Sequence, residues 1–418
     1  MKPPDPAGRP DVAIYLENLE GGGVQAICLN IARELLARGR RPTLVVSESD
    51  GALRADVPAA IGITEVRASS RLATLRRIMR LGGMPPALPA AILWHRDDDA
   101  SLRHVPALAD YLAATRPHTL LAATPFRNLE ALLACRLVAQ PPRLLVTEHN
   151  DLGAGHPLGQ GSVGLSLAAL QRRLYPGADA IVAVSRGVAA DIVRRSGIAP
   201  NRVEVVYNPV VIPRLPALAA EPVAHPWLAE PGPPVVLGVG RLSAAKDFHM
   251  LVRAFVRLRR RVPARLVIIG QDKSAAKTAR RHQELRAIAA AGGVADDVDF
   301  PGFVRNPFSW MARAAVLGVS SRHEGFCNVI AEALACGCPV VSTDCPSGPA
   351  EILEDGKWGR LVPVGDEATM AEALEATLNA PSDPVRLRER AEPFTVAAAV
   401  DRYEALLFGG RAGLTPES

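Results

Sequence analysis

The sequence predicts an α/β protein built from two doubly wound parallel sheets, and three observations carry that expectation. Short apolar runs recur at 12–16, 43–47, 119–123, 143–147, 180–184 and 203–207, then again at 235–239, 265–269, 298–300, 315–319, 340–343 and 360–362. Helix-length stretches separate several of them, and strands that alternate with helices pair in parallel because each crossover returns the chain to the same end of the sheet. Between the two sets, Asn208-Pro209 and a proline-rich stretch reaching Pro234 read as a boundary. The expected organisation is an N-terminal domain over 1–210, a linker over 211–234, a second domain over 235–385 and a C-terminal segment over 386–418.

Composition narrows the function classes. The 418 residues are 48% apolar, ample for buried cores, but only 4% aromatic, so those cores must be aliphatic. A net charge of +5, with +4 before residue 230 (25 basic, 21 acidic) and +1 after it (23 basic, 22 acidic), does not read as nucleic-acid binding. Five of the 48 basic residues are lysine, so a lysine inside a motif is notable here. The six cysteines (Cys28, Cys135, Cys327, Cys336, Cys338 and Cys345) lack paired zinc spacing and read as small apolar thiols in a reducing compartment. Asp97, Asp98 and Asp99 are adjacent, and adjacent carboxylates rarely converge on one ion, so they read as a solvated turn; no metal site is expected. Residues 1–10 are proline-rich and polar, unlike a secretory leader, and no run approaches the roughly 18 apolar residues of a membrane span; a cytoplasmic location is expected.

In chain order, the 12–16 strand runs through Glu-Asn-Leu-Glu-Gly-Gly-Gly into a helix over 24–38 closed by Gly39, with Val24, Ile27, Cys28, Ile31 and Leu35 on one face. The glycines lack G-x-G-x-x-G spacing, so a dinucleotide reading is weak. Over 71–81, Leu72, Leu75 and Met79 share a helical face while Arg76, Arg77 and Arg80 lie elsewhere, a pattern shared by helices on anionic membranes and by ordinary amphipathic helices. Glu148, His149 and Asn150 follow a strand directly, where ligands of such sheets bind, and His149 is the histidine singled out for chemistry.

In the second half, Gly238-Val-Gly-Arg-Leu-Ser-Ala-Ala-Lys-Asp follows the first strand. Gly240 frees a turn, Arg241 offers a planar fork for phosphate oxygens, and Lys246 adds a point charge. Further on, Gly325 permits a sharp turn, a helix is expected to start at Asn328 as its cap and run to Ala335, and Gly337 and Pro339 stop it. The amides of 325–329 then leave the helix N-terminus as a diphosphate site. Glu324 just outside the helix and Glu332 a turn inside it suit hydroxyl groups, since a carboxylate only accepts hydrogen bonds and sugars are rich in donors.

Glu324 and Glu332, with seven residues between them, the first opening Glu-Gly-Phe-Cys-Asn and the pair followed by Cys-Gly-Cys-Pro-Val-Val, resemble the signature of the retaining family 4 glycosyltransferases. Gly-Arg-Leu-(x)3-Lys-Asp is similar to the donor-phosphate motif of that family. The resemblance implies a GT-B fold, two Rossmann-like domains facing across a cleft, with the last helix crossing back to the N-terminal domain. It implies that Arg241 and Lys246 hold the donor phosphates together with the Gly240 turn, and that Glu324 contacts the donor sugar. It further implies that Glu332 holds ribose hydroxyls, and that the backbone from Gly325 through Phe326, Cys327, Asn328 and Val329 lines the donor. Gly22 and Gly23 are expected to touch diphosphate or acceptor, and the 302–306 loop, with Phe303 and Asn306, the base. Cys327 stands where proline or glycine is common, a departure that touches the sugar-facing loop.

The activity so implied is retaining transfer of a hexose or N-acetylhexosamine from a nucleoside diphosphate sugar, with UDP-sugar the first choice, to a glycan or lipid-linked hydroxyl acceptor. The same resemblance implies independence of metals and cofactors and peripheral association with the cytoplasmic membrane; the 71–81 helix is the expected point of weak contact with anionic lipid. Two alternatives stay open: a nucleotide-sugar epimerase, which would convert the donor without acceptor, and a silent nucleotide-sugar-binding subunit, which would bind without release.

Overall fold

The computed structural model describes residues 9–82, 88–94, 102–151, 167–272, 274–380 and 382–409. Two compact units emerge, one formed by Met1–Pro209 with Val396–Ser418 and one by Val210–Thr395.

The first unit holds seven parallel strands, β1 (Val12–Leu16), β2 (Pro42–Val46), β3 (Gly62–Glu65), β4 (Thr119–Ala123), β5 (Arg143–Glu148), β6 (Ala180–Ala183) and β7 (Val203–Val205), in the order β3-β2-β1-β4-β5-β6-β7. Every residue of β1 and β4 is buried, as expected of central strands covered on both faces. The edge strand β3 was not foreseen, because Gly-Ile-Thr-Glu is short and only half-buried and so lacks an apolar run. The first helix, Gly23–Ala37, begins one residue before the expected Val24: Gly22 is its cap, and Ile27, Cys28, Leu29, Ile31, Ala32 and Leu35 form its buried face.

Helix Arg71–Met79 is capped by Ser70, whose side chain accepts from the Ala73 amide. Thr74 and Ile78 face the core, while Leu72 and Met79 are 60% and 50% exposed. Arg71 donates to the Leu93 carbonyl at 2.8 Å and Arg77 to Asp110 at 2.6 Å, whereas Arg76 and Arg80 are exposed.

The second unit holds β8 (Val235–Val239), β9 (Arg265–Ile269), β10 (Val298–Gly302), β11 (Val316–Val319), β12 (Val340–Thr343) and β13 (Arg360–Val362), in the order β10-β9-β8-β11-β12-β13. Its core joins Leu251, Phe255 and Leu258 of helix Phe248–Arg259 to Val236, Leu266, Ile268 and Leu374. Gly238 and Gly318 let that helix lie close to the sheet, since a Cβ on either would come 3.0 or 2.8 Å from the Leu251 side chain.

The expected boundaries shift in two places. Stretch 211–234 is not a free linker: it belongs to the second unit, carries helices Leu215–Ala220 and Pro226–Ala229, and is tied down where Asn306 and Arg313 donate to the carbonyls of Leu218 and Ala219. Pro216 and Pro226 lie in the first turn of those helices, where a missing N–H costs nothing. The C-terminal segment divides at Thr395, not at 386, because Arg390 donates to the Ile352 and Glu351 carbonyls and Phe394 packs edge-on against Phe326. Helix Val396–Phe408 belongs to the first unit, held by Arg38 and Arg40 on Asp401 and Glu404 and by Thr119 on the Leu407 carbonyl.

Candidate active site

In each sheet the winding direction reverses beside the first strand, between β1 and β4 in one unit and between β8 and β11 in the other. The crevice past the carboxyl ends at such a switch point is where ligands of these sheets bind. In the second unit, β8 and β11 are direct neighbours with Leu317 opposite Leu237. The two expected motifs, 78 residues apart, leave the sheet side by side.

Past β8, Gly240 adopts φ +151°, a conformation that L side chains rarely reach, and the Lys246 stem lies over the spot a Cβ would occupy. Gly270 is as constrained, for its Cβ would sit 1.9 Å from the Gly240 carbonyl. Asp247 then caps helix Phe248–Arg259 and receives Arg322 at 2.6 Å. Backbone and side chain stitch the two loops together: the Arg322 amide donates to the Ala245 carbonyl at 2.7 Å and the Ser320 hydroxyl to the Lys246 carbonyl at 2.8 Å.

These contacts deliver Lys246 Nζ to Glu324 Oε1 at 2.6 Å, with side-chain exposures of 22% and 11%. Burial alone would lower the lysine's pKa, but the Glu324 carboxylate more than reverses this and raises it, so Lys246 is a permanent cation. Arg241 stands exposed in the same loop. Past β11, helix Asn328–Cys336 is capped by Cys327, not by Asn328. Cys327 takes the left-handed conformation, φ 72°, and the helix starts at Asn328, one residue earlier than a capping asparagine would have it. The Cys327 side chain makes no capping hydrogen bond to that N-terminus. Burial pushes the half-buried Glu332 carboxyl up to about 7, with Lys246 opposing. Two cations and a helix N-terminus beside two carboxylates can bind a diphosphate and hydroxyl-rich groups together.

A family model described as "Glycosyltransferase Family 4" matches residues 21–214, and one described as "Glycosyl transferases group 1" matches 233–380. The chain belongs to the group 1, family 4 glycosyltransferases. It is 33% identical over 231 residues, 55% of its length, to the Campylobacter jejuni N-acetylgalactosamine-N,N'-diacetylbacillosaminyl-diphospho-undecaprenol 4-alpha-N-acetylgalactosaminyltransferase. It is 34% identical over 179 residues, 42% of its length, to the Rhizobium meliloti lipopolysaccharide core biosynthesis glycosyltransferase LpsE. The chain spans 59% and 49% of the lengths of these relatives. Among solved structures, Anabaena HepE in complex with UDP is similar with a TM-score of 0.73 at 19% identity, over 95% of this chain and 99% of that one, a likeness of fold. The two Rossmann-like units are those of the GT-B fold.

Within this family 4 chain the remaining predicted residues fall in different places. Phe326 is 2% exposed with its ring in the core, so its backbone alone can line a ligand. Gly325 and Cys327 are buried, and Asn328 and Val329 are half-buried. Phe303, just past β10, is 64% exposed. Asn306 is committed to structural contacts: it caps helix Pro307–Met311 and donates to the Leu218 carbonyl and to Glu221, both at 2.8 Å. Gly22 and Gly23 form the start of the first helix at the switch point of the other unit.

His149 lies in that unit past β5, buried, with Nε2 3.0 Å from the Thr147 hydroxyl. Burial drops its pKa to about 4, with Asn208 opposing, so it is a neutral imidazole at neutral pH. The adjacent Glu148 is pushed up to about 7 by burial, against hydrogen bonds from Tyr175, Asn128 and Gln171 and the charge of Arg195. Asp97, Asp98 and Asp99 lie outside the described residues. Among the described residues, no group of three or more His, Cys, Asp or Glu could hold a metal ion, and no helix is long and apolar enough to cross a membrane.

Three participants were not foreseen. Ser321 donates to Glu324 Oε1 at 2.6 Å, and Thr343 donates to the Ser321 carbonyl at 2.6 Å. Gly348, at φ +106°, presses its backbone on the Phe326 carbonyl, 2.1 Å from where a Cβ would sit. The Ser347-Gly348-Pro349 string was the available signal, since glycine before a helix-initiating proline marks an unusual turn.

Proposed function

We propose that this chain transfers a hexose or N-acetylhexosamine from a nucleoside diphosphate sugar, UDP-sugar first among them, to a hydroxyl acceptor with retention of configuration. The observation that carries this is the Lys246–Glu324 contact at the β8/β11 switch point beside Arg241. In this reading Arg241 and Lys246 stabilise the charge that grows on the departing diphosphate, which water would otherwise have to reorganise around. Glu324 accepts from the sugar and Glu332 from the ribose. The bond from the anomeric carbon to the diphosphate oxygen breaks as the acceptor oxygen attacks the same face, and the acceptor's proton passes to the leaving oxygen. Phe303 offers an exposed ring to the base. No metal is assigned a part.

The acceptor is assigned to the first unit, and a lipid-linked glycan is the class proposed, as in the Campylobacter jejuni relative. Leu72 and Met79, exposed beside Arg76 and Arg80, support a reading of weak contact with an anionic membrane surface, and a peripheral location at the inner face of the cytoplasmic membrane is proposed with it. The test is to incubate the protein with UDP-hexoses and UDP-N-acetylhexosamines, with and without lipid-linked acceptors, following nucleotide release and the anomeric configuration of product. UDP release coupled to an α-glycoside from an α-donor is expected. An inverted product removes the front-face route, and conversion of the donor without acceptor indicates an epimerase.

A further inference from the structure

We propose that Ser321, set in place by Thr343, is a positioning residue that holds Glu324 by one carboxylate oxygen and leaves the other to a sugar hydroxyl; this rests on the donor-site reading above. Ser321 is the second residue past β11 and is 1% exposed. Its hydroxyl and Lys246 Nζ both reach the same atom, Glu324 Oε1, each at 2.6 Å. The serine is itself held from behind. Thr343, the fully buried last residue of β12, donates to the Ser321 carbonyl at 2.6 Å, and β12 pairs with β11 up to Val319 opposite Ser342.

The two donors differ in what they fix. An ammonium on a flexible stem offers three protons and follows the carboxylate wherever it turns. A hydroxyl on a short side chain with a pinned backbone cannot follow, so it sets the rotation of the carboxylate. With Ser321 absent, Glu324 is free to turn both oxygens toward Lys246, and a sugar hydroxyl then loses its acceptor. The Cys327 thiol also faces this carboxylate, and as a weak donor it yields to a hydroxyl. The phosphate end of the site, built on Arg241 and Lys246, does not depend on that rotation. Ser321 therefore separates recognition of the sugar from recognition of the nucleotide.

The experiment compares the native protein with Ser321→Ala, Ser321→Thr, Thr343→Val and Thr343→Ser, measuring the Kd of UDP and of the preferred UDP-sugar by calorimetry and kcat from UDP release. In Ser321→Ala, kcat should fall on the order of 10- to 100-fold, as expected for losing a hydrogen bond to a charged group. The ratio of UDP-sugar Kd to UDP Kd should rise while UDP Kd stays within about twofold, since the lost contact serves only the sugar. Ser321→Thr should restore the native ratio. Thr343→Val should move it in the same direction by less, with Thr343→Ser as its rescue, and this pair decides the matter if Ser321→Ala does not fold. An unchanged ratio and kcat in Ser321→Ala, or an equal loss of UDP and UDP-sugar binding, overturns the assignment. Failure of the native protein to bind any nucleoside diphosphate overturns the donor-site reading, and this inference with it.

Discussion

The switch points of the two sheets carry similar inventories of charge in opposite states. Past the strands of the second unit, Lys246 and Glu324 are paired yet partly open to solvent, with Arg241 exposed in the same loop as Lys246. In the first unit the charges are sealed. Arg127 is 1% exposed and meets Glu130 at 3.1 Å, with Ser47 on the guanidinium, while Tyr15 donates to Glu130 at 2.6 Å and His104 lies 3.2 Å from it. Glu148 is equally sealed among Tyr175, Gln171 and Asn128. One topology thus yields two kinds of polar cluster. A buried, hydrogen-bonded cluster shut off from water sets the shape of a unit, whereas a charge pair with a face in water can exchange partners with a ligand.

Exchanging the roles of the two clusters tests that contrast most strongly. Lys246→Ala or Arg241→Ala should lower turnover by about 10²–10³-fold with little change in unfolding midpoint, because only charge at the leaving group is lost. Arg127→Ala should act oppositely, costing on the order of 3–5 kcal/mol of stability by leaving Glu130 buried and unpaired. Denaturant unfolding run alongside UDP-release assays reads both. If Lys246→Ala unfolds the protein, or Arg127→Ala does not destabilise it, the contrast fails.

Gly348→Ala sharpens the picture on the open side. A Cβ there meets the Phe326 carbonyl and adds strain at φ +106°, a cost on the order of 2–4 kcal/mol, so the variant should show an earlier unfolding midpoint as well as a distorted donor loop.

The sealed side should announce itself through pH. Glu148 binds its proton more tightly folded, near 7, than at its ordinary value of 4.5; its contribution to stability is full below pH 4.5 and is lost as the pH rises through about 7. His149 has the opposite sign: its contribution is present above its ordinary 6.5 and is lost as the pH falls through about 4. Glu148→Gln should therefore gain stability over the native protein between pH 5 and pH 8, by roughly 1–3 kcal/mol, in urea titrations. A difference that stays flat over this range would mean that the carboxyl is not sealed.

The smallest effect concerns the Arg71–Met79 helix. Arg76→Gln and Arg80→Gln should each weaken co-sedimentation with anionic vesicles by about 1 kcal/mol at low salt, while Arg77→Gln, whose arginine is engaged with Asp110, should change it less. Equal binding to neutral and anionic vesicles would argue for a soluble acceptor.

Much of this was legible in the residues alone. Apolar runs of strand length alternating with helical stretches are a local signal, because a strand covered on both faces must be apolar throughout. That placed most strands of both sheets, and the glycine-bearing strings after β8 and β11 pointed to a phosphate site. The half-buried β3 escaped for want of an apolar run. So did the left-handed cap at Cys327, since nothing in a cysteine announces a positive φ.

What the sequence determined by itself was the kind of element at each position and the types of charge that follow β8 and β11. Only the tertiary structure decided which charges meet, which are sealed and which face water. Lys246 and Glu324 are 78 residues apart and touch because β8 and β11 are neighbours; Ser321 and Thr343 matter because β11 and β12 are. Asn306 offered an amide as suitable for a base as for a loop, and the helix beside it took that amide. The reason is physical: element type follows from the periodicity of adjacent residues, whereas burial and pairing depend on groups that the chain brings together from far along its length.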